Sequence, residues 1–445
     1  MRTIDLRGQT LSPAQMLAAV PRATQARAEA LDAATRIVED VRERGEQALR
    51  EQAAQFDRVE GHAIRVPAEH IAEAAASVDP AVRAALEEAI VRVRQASAAQ
   101  VPPSQTTQIG PGARIVQRWQ PVRRAGVYIP GGKAVYPSSV VMNAVPAQVA
   151  GVSAIALASP PQAAHGGRVH PTILAAAALL GVDEVYAIGG AGAIGALAHG
   201  VAALDLDPVD VVSGPGNNYV ASAKRAVAGV VGTDSEAGAT EILIVADADA
   251  DPRLIAADLI SQAEHDEQAS AVLVTDSAEL AERVAIQVAD LAARTHHRER
   301  VAAALAGPQS AIVLVDDART ATDFSNAYAP EHLELHLRDA SEAASRFTSA
   351  GAVFVGAHTP VSLGDYMAGS NHVLPTGGQA RYAPGLGAYT FLRPQQVIEY
   401  DRDALAAVRE GVVTLANAEV LPAHGDAVEA RFSEVSASVG TERVR

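Results

Sequence analysis

Short apolar runs alternate with helical segments from residue 125 to residue 355, and this alternation limits the fold more than any other feature of the chain. Turns rich in glycine or proline separate the runs from the helices. Strand, turn and helix repeated in this order predict parallel sheets with helices on both faces. The predicted strand cores form two sets, residues 127–129, 154–157, 184–188 and 211–212, then residues 242–245, 271–275, 312–315 and 352–355.

Helical segments precede and follow the two sets of strands. Residues 1–24 include a short, broken helical piece that is too small to fold alone. Apolar residues recur on one helical face between residues 25 and 56, and a second helix starts at Pro80. A polar bridge covers residues 100–112, and the segment from Arg393 onward is mainly helical. The predicted fold is α/β, with two tandem Rossmann-like parallel-sheet domains, a helical N-terminal lead-in and a small helical C-terminal tail.

The composition excludes several classes of protein. The formal net charge is −16 over 445 residues, and a chain this acidic lacks the basic face that binds nucleic acid. The N-terminus lacks the apolar core of a signal peptide, and the alanine-rich run near residue 175 is too short to span a membrane, so we expect a cytoplasmic protein. Cysteine is absent, so a bound metal would need histidine, carboxylate or amide ligands.

The stretch from residue 326 to residue 389 holds the strongest candidates for catalysis. Glu331 and His332 are adjacent ionisable residues that follow Pro330. The proline fixes the backbone just ahead of them and disfavours helix at Ala329. We therefore expect a loop that presents an acid/base pair.

Two further pairs of residues are candidates for binding. Asp365 and His372 lie among glycines and small residues, a composition that lines a pocket better than it packs a core. Gln262 and His265 are three residues apart at the end of a helix, so they share a face and can reach one metal ion. The competing interpretation for both pairs is ordinary polar surface, because polar residues in loops and at helix ends usually meet solvent.

Three glycine-rich turns follow strands of the first set. Residues 128–132 leave a strand, and their backbone amides could hold an anion such as a dinucleotide pyrophosphate. Residues 214–218 leave the last strand of this set and place the amide side chains of Asn217 and Asn218 at the same sheet edge. Residues 190–195 match the pattern G-x-G-x-x-G of dinucleotide-binding turns. Close packing of a helix against a strand is the competing explanation for these glycines. Together the three turns favour a nucleotide cleft at the carboxyl edge of the sheet.

Five motifs, in order along nearly the whole chain, resemble the histidinol dehydrogenase family. They are Tyr-Ile-Pro-Gly-Gly at 128–132, Gly-Pro-Gly-Asn at 214–217, Ser-Gln-Ala-Glu-His at 261–265, Tyr-Ala-Pro-Glu-His at 328–332, and Gly-Asp-Tyr at 364–366 followed by Ser-Asn-His-Val-Leu-Pro-Thr at 370–376. The resemblance implies oxidation of L-histidinol through L-histidinaldehyde to L-histidine, with two NAD⁺ and one Zn²⁺ per site. It also implies a homodimer with shared active sites.

The resemblance assigns roles position by position. Glu331 and His332 match the catalytic pair. The zinc ligands match Gln262, His265, Asp365 and His424. The substrate-binding residues match Thr240, Gln262, His265, His332, Asp365, His372, Glu419 and His424. The NAD contacts match Tyr128, Gly192 and Asn217, with Gly192 where some members carry a glutamine and Thr240 where serine is common.

By the same resemblance the chain divides into four parts. These are an N-terminal arm (1–24), a first α/β domain with the metal and catalytic residues (25–127 plus 241–386), a second α/β domain that binds NAD (128–240), and a helical tail that contributes Glu419 and His424 to the partner's active site (387–445).

An adjacent Glu–His pair suits an oxidation in two stages. Imidazole titrates near neutral pH, so His332 can take the alcohol proton and serve again in the second oxidation. Glu331 can deprotonate the water that adds to the aldehyde, and zinc can orient and polarise the substrate. The nearest alternative is NAD-dependent four-electron oxidation of another small alcohol, such as a sulfonated diol. A zinc hydrolase and a non-catalytic metal-binding protein are the alternatives from other classes.

Overall fold

The computed structural model describes residues 1–22, 27–131, 134–235 and 238–433. The chain forms two compact units, of which unit 1 comprises Met1–Val101 and Pro121–Leu392 and unit 2 comprises Pro102–Gln120 and Arg393–Arg445. Of the predicted site residues, Glu419 and His424 belong to unit 2 and the others to unit 1. Gly132, at the end of the first glycine-rich turn, lies outside the described residues. No helix in the described ranges is long and apolar enough to cross a membrane.

The secondary structure of the described residues follows in chain order. The strands are β1 (Arg2–Asp5), β2 (Gln105–Gly110), β3 (Ala113–Pro121), β4 (Arg124–Tyr128), β5 (Ala154–Ser159), β6 (Val185–Ala187), β7 (Val211–Ser213), β8 (Gly232–Thr233), β9 (Glu241–Ala246), β10 (Ser270–Thr275), β11 (Ala311–Leu314), β12 (His332–His336), β13 (Ala352–Val355) and β14 (Leu392–Tyr400). The α-helices are α1 (Pro13–Ala19), α2 (Arg27–Arg44), α3 (Glu46–Gln52), α4 (Ala68–Ser77), α5 (Pro80–Ala98), α6 (Pro137–Ala150), α7 (Pro171–Leu179), α8 (Gly190–His199), α9 (Asn218–Ala226), α10 (Pro252–Ala263), α11 (Ala278–Arg294), α12 (Arg298–Ala306), α13 (Ala318–Tyr328), α14 (Ala340–Ala343), α15 (Val361–Tyr366), α16 (Arg402–Ala418) and α17 (Pro422–Glu429).

Unit 1 is built on two parallel sheets, which confirms the predicted fold class. One sheet has six strands in the order β1-β11-β10-β9-β12-β13, and the other has five in the order β6-β5-β4-β7-β8. The strand pairs of both sheets are parallel. The predicted strand cores of both sets lie in or overlap these strands. The apolar runs were informative because strands covered by helices on both faces are apolar throughout.

Opposite faces of the six-stranded sheet pack against different helices. In β9, Ile242 and Ile244 pack with α10 and α11, whereas Leu243 and Val245 pack with α1 and α13. Successive side chains of a strand point to opposite faces, so one apolar strand contributes to two cores.

The N-terminal helices pack against the five-stranded sheet. Val38 of α2 belongs to the same apolar core as Ala156 of β5, and Leu86 of α5 belongs to the same core as Val127 of β4. Asp79 accepts hydrogen bonds from the first amides of α5, which confirms the predicted helix start at Pro80. The predicted domain division, which groups residues 25–127 with the six-stranded sheet, stays a prediction. An amphipathic face indicates that a helix is buried but does not identify what covers it.

Several strands lie where the sequence analysis expected none. β1 joins the edge of the six-stranded sheet beside β11, ahead of the expected helical piece, which is α1. Unit 2 contains the sheet β14-β3-β2, so the polar bridge holds a strand and the mainly helical tail begins with one before α16 and α17. The side chains of β2 and β14 are largely exposed, so these strands lack the apolar run that marks a buried strand.

Candidate active site

The catalytic candidates lie at the amino edge of the six-stranded sheet. His332 is the first residue of β12, and Thr240 directly precedes the neighbouring strand β9. Helix α10 runs back to this edge and carries Gln262 one residue before its end. His332 therefore begins a strand, where the sequence analysis expected a loop. The expected end of helix at Ala329 is confirmed, since α13 stops at Tyr328.

A chain of hydrogen bonds joins a predicted metal ligand to a predicted catalytic residue. Gln262 Nε2 donates to the Thr240 hydroxyl oxygen at 2.7 Å, and the Thr240 hydroxyl donates to Glu331 Oε2 at 2.6 Å. An ionised carboxylate only accepts, so Thr240 must donate to Glu331 and Gln262 must turn its NH₂ group toward Thr240. Gln262 Oε1 is thereby left buried and without a hydrogen-bond partner.

His332 has one ring nitrogen occupied and one available. Its Nδ1 lies 3.0 Å from the Glu241 carbonyl oxygen, which can only accept, so Nδ1 carries the proton. Nε2 then holds the lone pair that a general base needs. The Glu241 amide donates to Glu331 Oε2 at 2.9 Å. Both catalytic candidates are thus oriented by the backbone of the same residue, Glu241.

The predicted zinc ligands of unit 1 come from α10 and α15. His265 follows α10 and is exposed, and its Nδ1 lies 3.1 Å from the Ser261 carbonyl oxygen, which leaves Nε2 free for a metal. Asp365 lies in α15 and is half-buried.

These side chains fit a zinc ion. An imidazole nitrogen, a carboxylate and an amide oxygen are ligands that zinc accepts. The unpartnered, buried Oε1 of Gln262 is the observation that favours a bound cation, since buried polar atoms are normally hydrogen-bonded.

His372 lies beside Asp365 and close to the catalytic pair. Its Nδ1 donates to the Asp365 carbonyl oxygen at 2.9 Å, and the Ser139 hydroxyl lies 3.2 Å from its Nε2. Burial lowers the pKa of His372, and the charges of Asp365 and Glu331 oppose this shift. The predicted residues of unit 1 that share this region are Thr240, Gln262, His265, Glu331, His332, Asp365 and His372.

A second group of side chains could also hold a metal ion. The ligand atoms of Asp258, Glu334 and His336 lie within 4.8 Å of one another, and they form the one such trio found among the described residues. Glu334 Oε1 accepts from the first amide of α15 at 2.8 Å, and its Oε2 lies 3.3 Å from His336 Nε2. Burial and the charge of Glu334 together raise the pKa of Asp258 to about 7. A proton can therefore balance part of this negative charge near neutral pH.

The sequence analysis missed this trio. Its available signal was the alternation of polar and apolar residues from His332 to His336, which places three polar side chains on one face of β12.

The predicted residues of the tail lie in unit 2. Glu419 directly follows α16, and His424 lies in α17. Both side chains are exposed within unit 2. Large apolar side chains beside them are exposed as well, with Leu415 66% and Val420 82% accessible.

Two of the predicted NAD residues lie at the carboxyl edge of the five-stranded sheet. Tyr128 ends β4, and its hydroxyl accepts from the Gly190 amide at 3.1 Å. Burial raises the pKa of Tyr128 to about 12. Asn217 caps α9 by accepting from two amides of its first turn. Between them, Gly214 has a φ of +122° and would bring a Cβ atom to 2.0 Å from the Tyr128 carbonyl oxygen, so the turn requires glycine.

Gly192, the third predicted NAD residue, lies inside α8. A Cβ atom there would come within 2.2 Å of Gln52 Oε1, and one on Gly195 within 3.2 Å of the Val38 Cα atom. Two glycines of the G-x-G-x-x-G pattern thus allow α8 to pack closely on the helices α2 and α3. A contact between Gly192 and NAD stays a prediction, and Gln52 is the amide side chain that lies against this position.

Other residues of the region escaped the sequence analysis. Glu241 stands at the start of an apolar strand, and a charged residue there was a usable signal. Ser139 and Arg22 had no local signal, because their contacts run to residues more than 200 positions away along the chain.

Comparison with known proteins gives one consistent family. Residues 20–432 match the family model described as histidinol dehydrogenase. The histidinol dehydrogenase of Leifsonia xyli subsp. xyli is 64% identical over 434 residues, which are 98% of this chain and 100% of the relative. That of Thermobifida fusca is 57% identical over 429 residues, 96% of this chain and 97% of the relative. The crystal structure of histidinol dehydrogenase from Elizabethkingia anophelis superposes with a TM-score of 0.90 at 31% identity, covering 97% of this chain and 98% of that one.

Proposed function

Because the chain belongs to the histidinol dehydrogenase family, we propose that Glu331 and His332 carry out the proton transfers of its reaction. The protein is a zinc- and NAD-dependent oxidoreductase of histidine biosynthesis that oxidises L-histidinol through L-histidinaldehyde to L-histidine. The alternative of another small alcohol, such as a sulfonated diol, finds no support among its relatives. NAD⁺ accepts the hydride in each of the two oxidations.

His332 is the proposed base of both oxidations. Its Nδ1–H is held by the Glu241 carbonyl group, so Nε2 is the nitrogen that can accept the hydroxyl proton. The ring is 5% exposed, so it stays in one orientation and is shielded from bulk water. The fixed tautomer is the single observation that carries this assignment.

Glu331 is the proposed base for the water that adds to the aldehyde. Thr240 and the Glu241 amide both donate to Oε2, which fixes the orientation of the carboxylate. Oε1 is then the oxygen that takes a proton from water. The hydrated aldehyde formed in this way presents a hydroxyl group to His332 for the second oxidation.

Gln262, His265 and Asp365 would hold the zinc ion, together with His424 from unit 2 of a partner. The ion would bind and polarise the substrate as a Lewis acid. The Thr240 hydroxyl is hydrogen-bonded to both Gln262 and Glu331, so it connects a proposed metal ligand to the proposed base.

The proposal includes a homodimer with shared active sites and a cytoplasmic location. Apolar side chains beside Glu419 and His424 are exposed in the single chain, and a second subunit would remove them from water. The substrate-binding roles of Thr240, His372, Glu419 and His424 and the NAD contacts of Tyr128, Gly192 and Asn217 belong to the same proposal.

The two proposed bases can be separated by giving each variant both substrates. Glu331→Gln keeps the size of the side chain but removes the carboxylate, so we expect it to slow oxidation of L-histidinaldehyde by about 10² to 10⁴ and that of L-histidinol much less. His332→Asn should slow both oxidations. The measurement is single-turnover NADH formation from each substrate, with product identified as histidine.

Two exposed residues provide matched controls, Glu342→Gln and His358→Asn, which should retain wild-type rates. Zinc content and oligomeric state should be the same in all variants. If Glu331→Gln slows the oxidation of both substrates equally, Glu331 positions its neighbours and does not activate water.

A further inference from the structure

Arg22 connects the N-terminal segment to the backbone on both sides of the catalytic pair. Its Nε donates to Glu241 Oε1 at 2.6 Å. Its Nη2 donates to the carbonyl oxygens of Tyr328 and Ala329, the latter at 3.2 Å. The guanidinium group also lies over the Tyr328 ring, 4.3 Å from its centroid. Four separate contacts thus fix one side chain that is only 18% exposed.

Each of these contacts falls on a segment that orients a catalytic residue. The backbone of Glu241 donates to Glu331 and accepts from His332, so a displacement of Glu241 would move both side chains. Tyr328 and Ala329 are the residues that lead into Pro330 and the catalytic pair.

The backbone held by Arg22 is strained. Ala329 has a φ of +50°, in the left-handed region that residues with a side chain seldom adopt. Such a conformation persists only where the surroundings enforce it. The Arg22 bonds to the Tyr328 and Ala329 carbonyl groups supply part of that restraint at the residue where α13 turns into β12.

Arg22 also balances charge in this region. Glu241 and Glu331 are both buried. Burial raises the pKa of Glu241 and the charge of Glu331 raises it too, whereas the Arg22 guanidinium opposes that shift. A guanidinium group suits this position because its planar fork can bond a carboxylate and carbonyl groups at the same time.

We propose that Arg22 is a positioning residue for Glu331 and His332, acting through Glu241 and through the Tyr328–Ala329 backbone. The inference rests on the catalytic roles proposed for Glu331 and His332. It extends the active site to the N-terminal segment, outside every motif of the sequence.

Arg22→Ala should lower kcat by about 10², because a small displacement of catalytic groups has effects of this order. The KM for L-histidinol should stay within about threefold, since the variant removes no substrate contact.

Two further variants make the result specific. Arg22→Lys keeps the positive charge but loses the fork, so its kcat should lie between those of Arg22→Ala and the wild type. Arg381→Ala is the matched control, because Arg381 donates to the Ala327 carbonyl group at 3.1 Å, one residue before the backbone that Arg22 holds, and it should keep wild-type kcat.

The inference is overturned if Arg22→Ala lowers thermal stability while its kcat, measured well below the unfolding temperature, stays normal. It is also overturned if Arg381→Ala causes an equal loss of kcat. If the catalytic role proposed for His332 is itself wrong, the result differs from these two, because His332→Asn would then retain activity. Zinc content, measured on every variant, should not change with Arg22.

Discussion

Carboxylates that are buried or half-buried in this protein differ in how their charge is compensated. Glu331 has two hydrogen-bond donors on one oxygen, and Glu241 has a guanidinium partner. Asp57 lies near Gly189 at the start of α8, and burial alone raises the pKa of its carboxyl group to about 6. A carboxylate without a compensating partner weakens the fold when it ionises.

The effect of the Asp57 carboxyl group should appear in the pH dependence of the free energy of unfolding. The folded state holds its proton up to about pH 6, whereas the unfolded chain loses it near 3.8, so this stabilising contribution is lost as pH rises through that interval. Asp57→Asn should therefore be more stable than the wild type above pH 6 and similar to it below pH 4. Urea unfolding at several pH values measures this difference. The exposed Asp276→Asn is the control, and an Asp57→Asn variant less stable at pH 8 would contradict the prediction.

At the scale of secondary structure, α10 carries residues of two groups that could bind a metal. Asp258 belongs to the trio with Glu334 and His336, and Gln262 lies one turn further along the same helix. Within the trio, Glu334 is hydrogen-bonded to the start of α15 and Asp258 can keep a proton near neutral pH. Each group holds a buried atom without a hydrogen-bond partner, Gln262 Oε1 in one and His336 Nδ1 in the other, so a measurement must distinguish them.

Zinc content should distinguish the two groups. His265→Asn is expected to lose most of its bound zinc, because it removes an imidazole ligand. His336→Asn, the matched change in the trio, should retain about one zinc per subunit. Metal analysis of dialysed protein gives the answer without relying on activity. If His265→Asn keeps its bound zinc and His336→Asn loses it, the zinc ion lies in the trio.

At the scale of the whole molecule, the proposed active site requires two chains. Unit 2 carries Glu419 and His424 next to apolar side chains that are exposed in a single chain. A symmetric dimer would cover those side chains and make two equivalent sites from residues of both subunits.

Subunit mixing tests whether the sites are shared. His332→Asn and His424→Ala subunits should each form inactive homodimers. A heterodimer of the two would have one site with both defects and one with neither, so it should regain about half of the wild-type activity. Mixing His332→Asn with Glu331→Gln is the control that cannot restore a site. No recovery in purified His332→Asn/His424→Ala heterodimers would mean that each subunit completes its own site.

The sequence by itself determined the parallel-sheet class and most of the buried strands, because apolar runs and glycine turns are local signals. It also gave the candidate residues for the chemistry, since Gln262, His265, Glu331, His332, Asp365 and His372 stand in short recognisable motifs. Their assigned roles stay predictions. Exposed strands such as β2 and polar strands such as β12 were not predicted, because each lacks a continuous apolar run.

Only the tertiary structure decided how these residues are oriented. The Glu241 backbone that orients Glu331 and His332 lies about ninety positions before them, and Arg22 lies 219 positions before Glu241. Such contacts depend on which strands become neighbours and on where a helix ends, so no local pattern encodes them. The placement of the site at the amino edge of the six-stranded sheet follows from the pairing of β9 with β12 for the same reason.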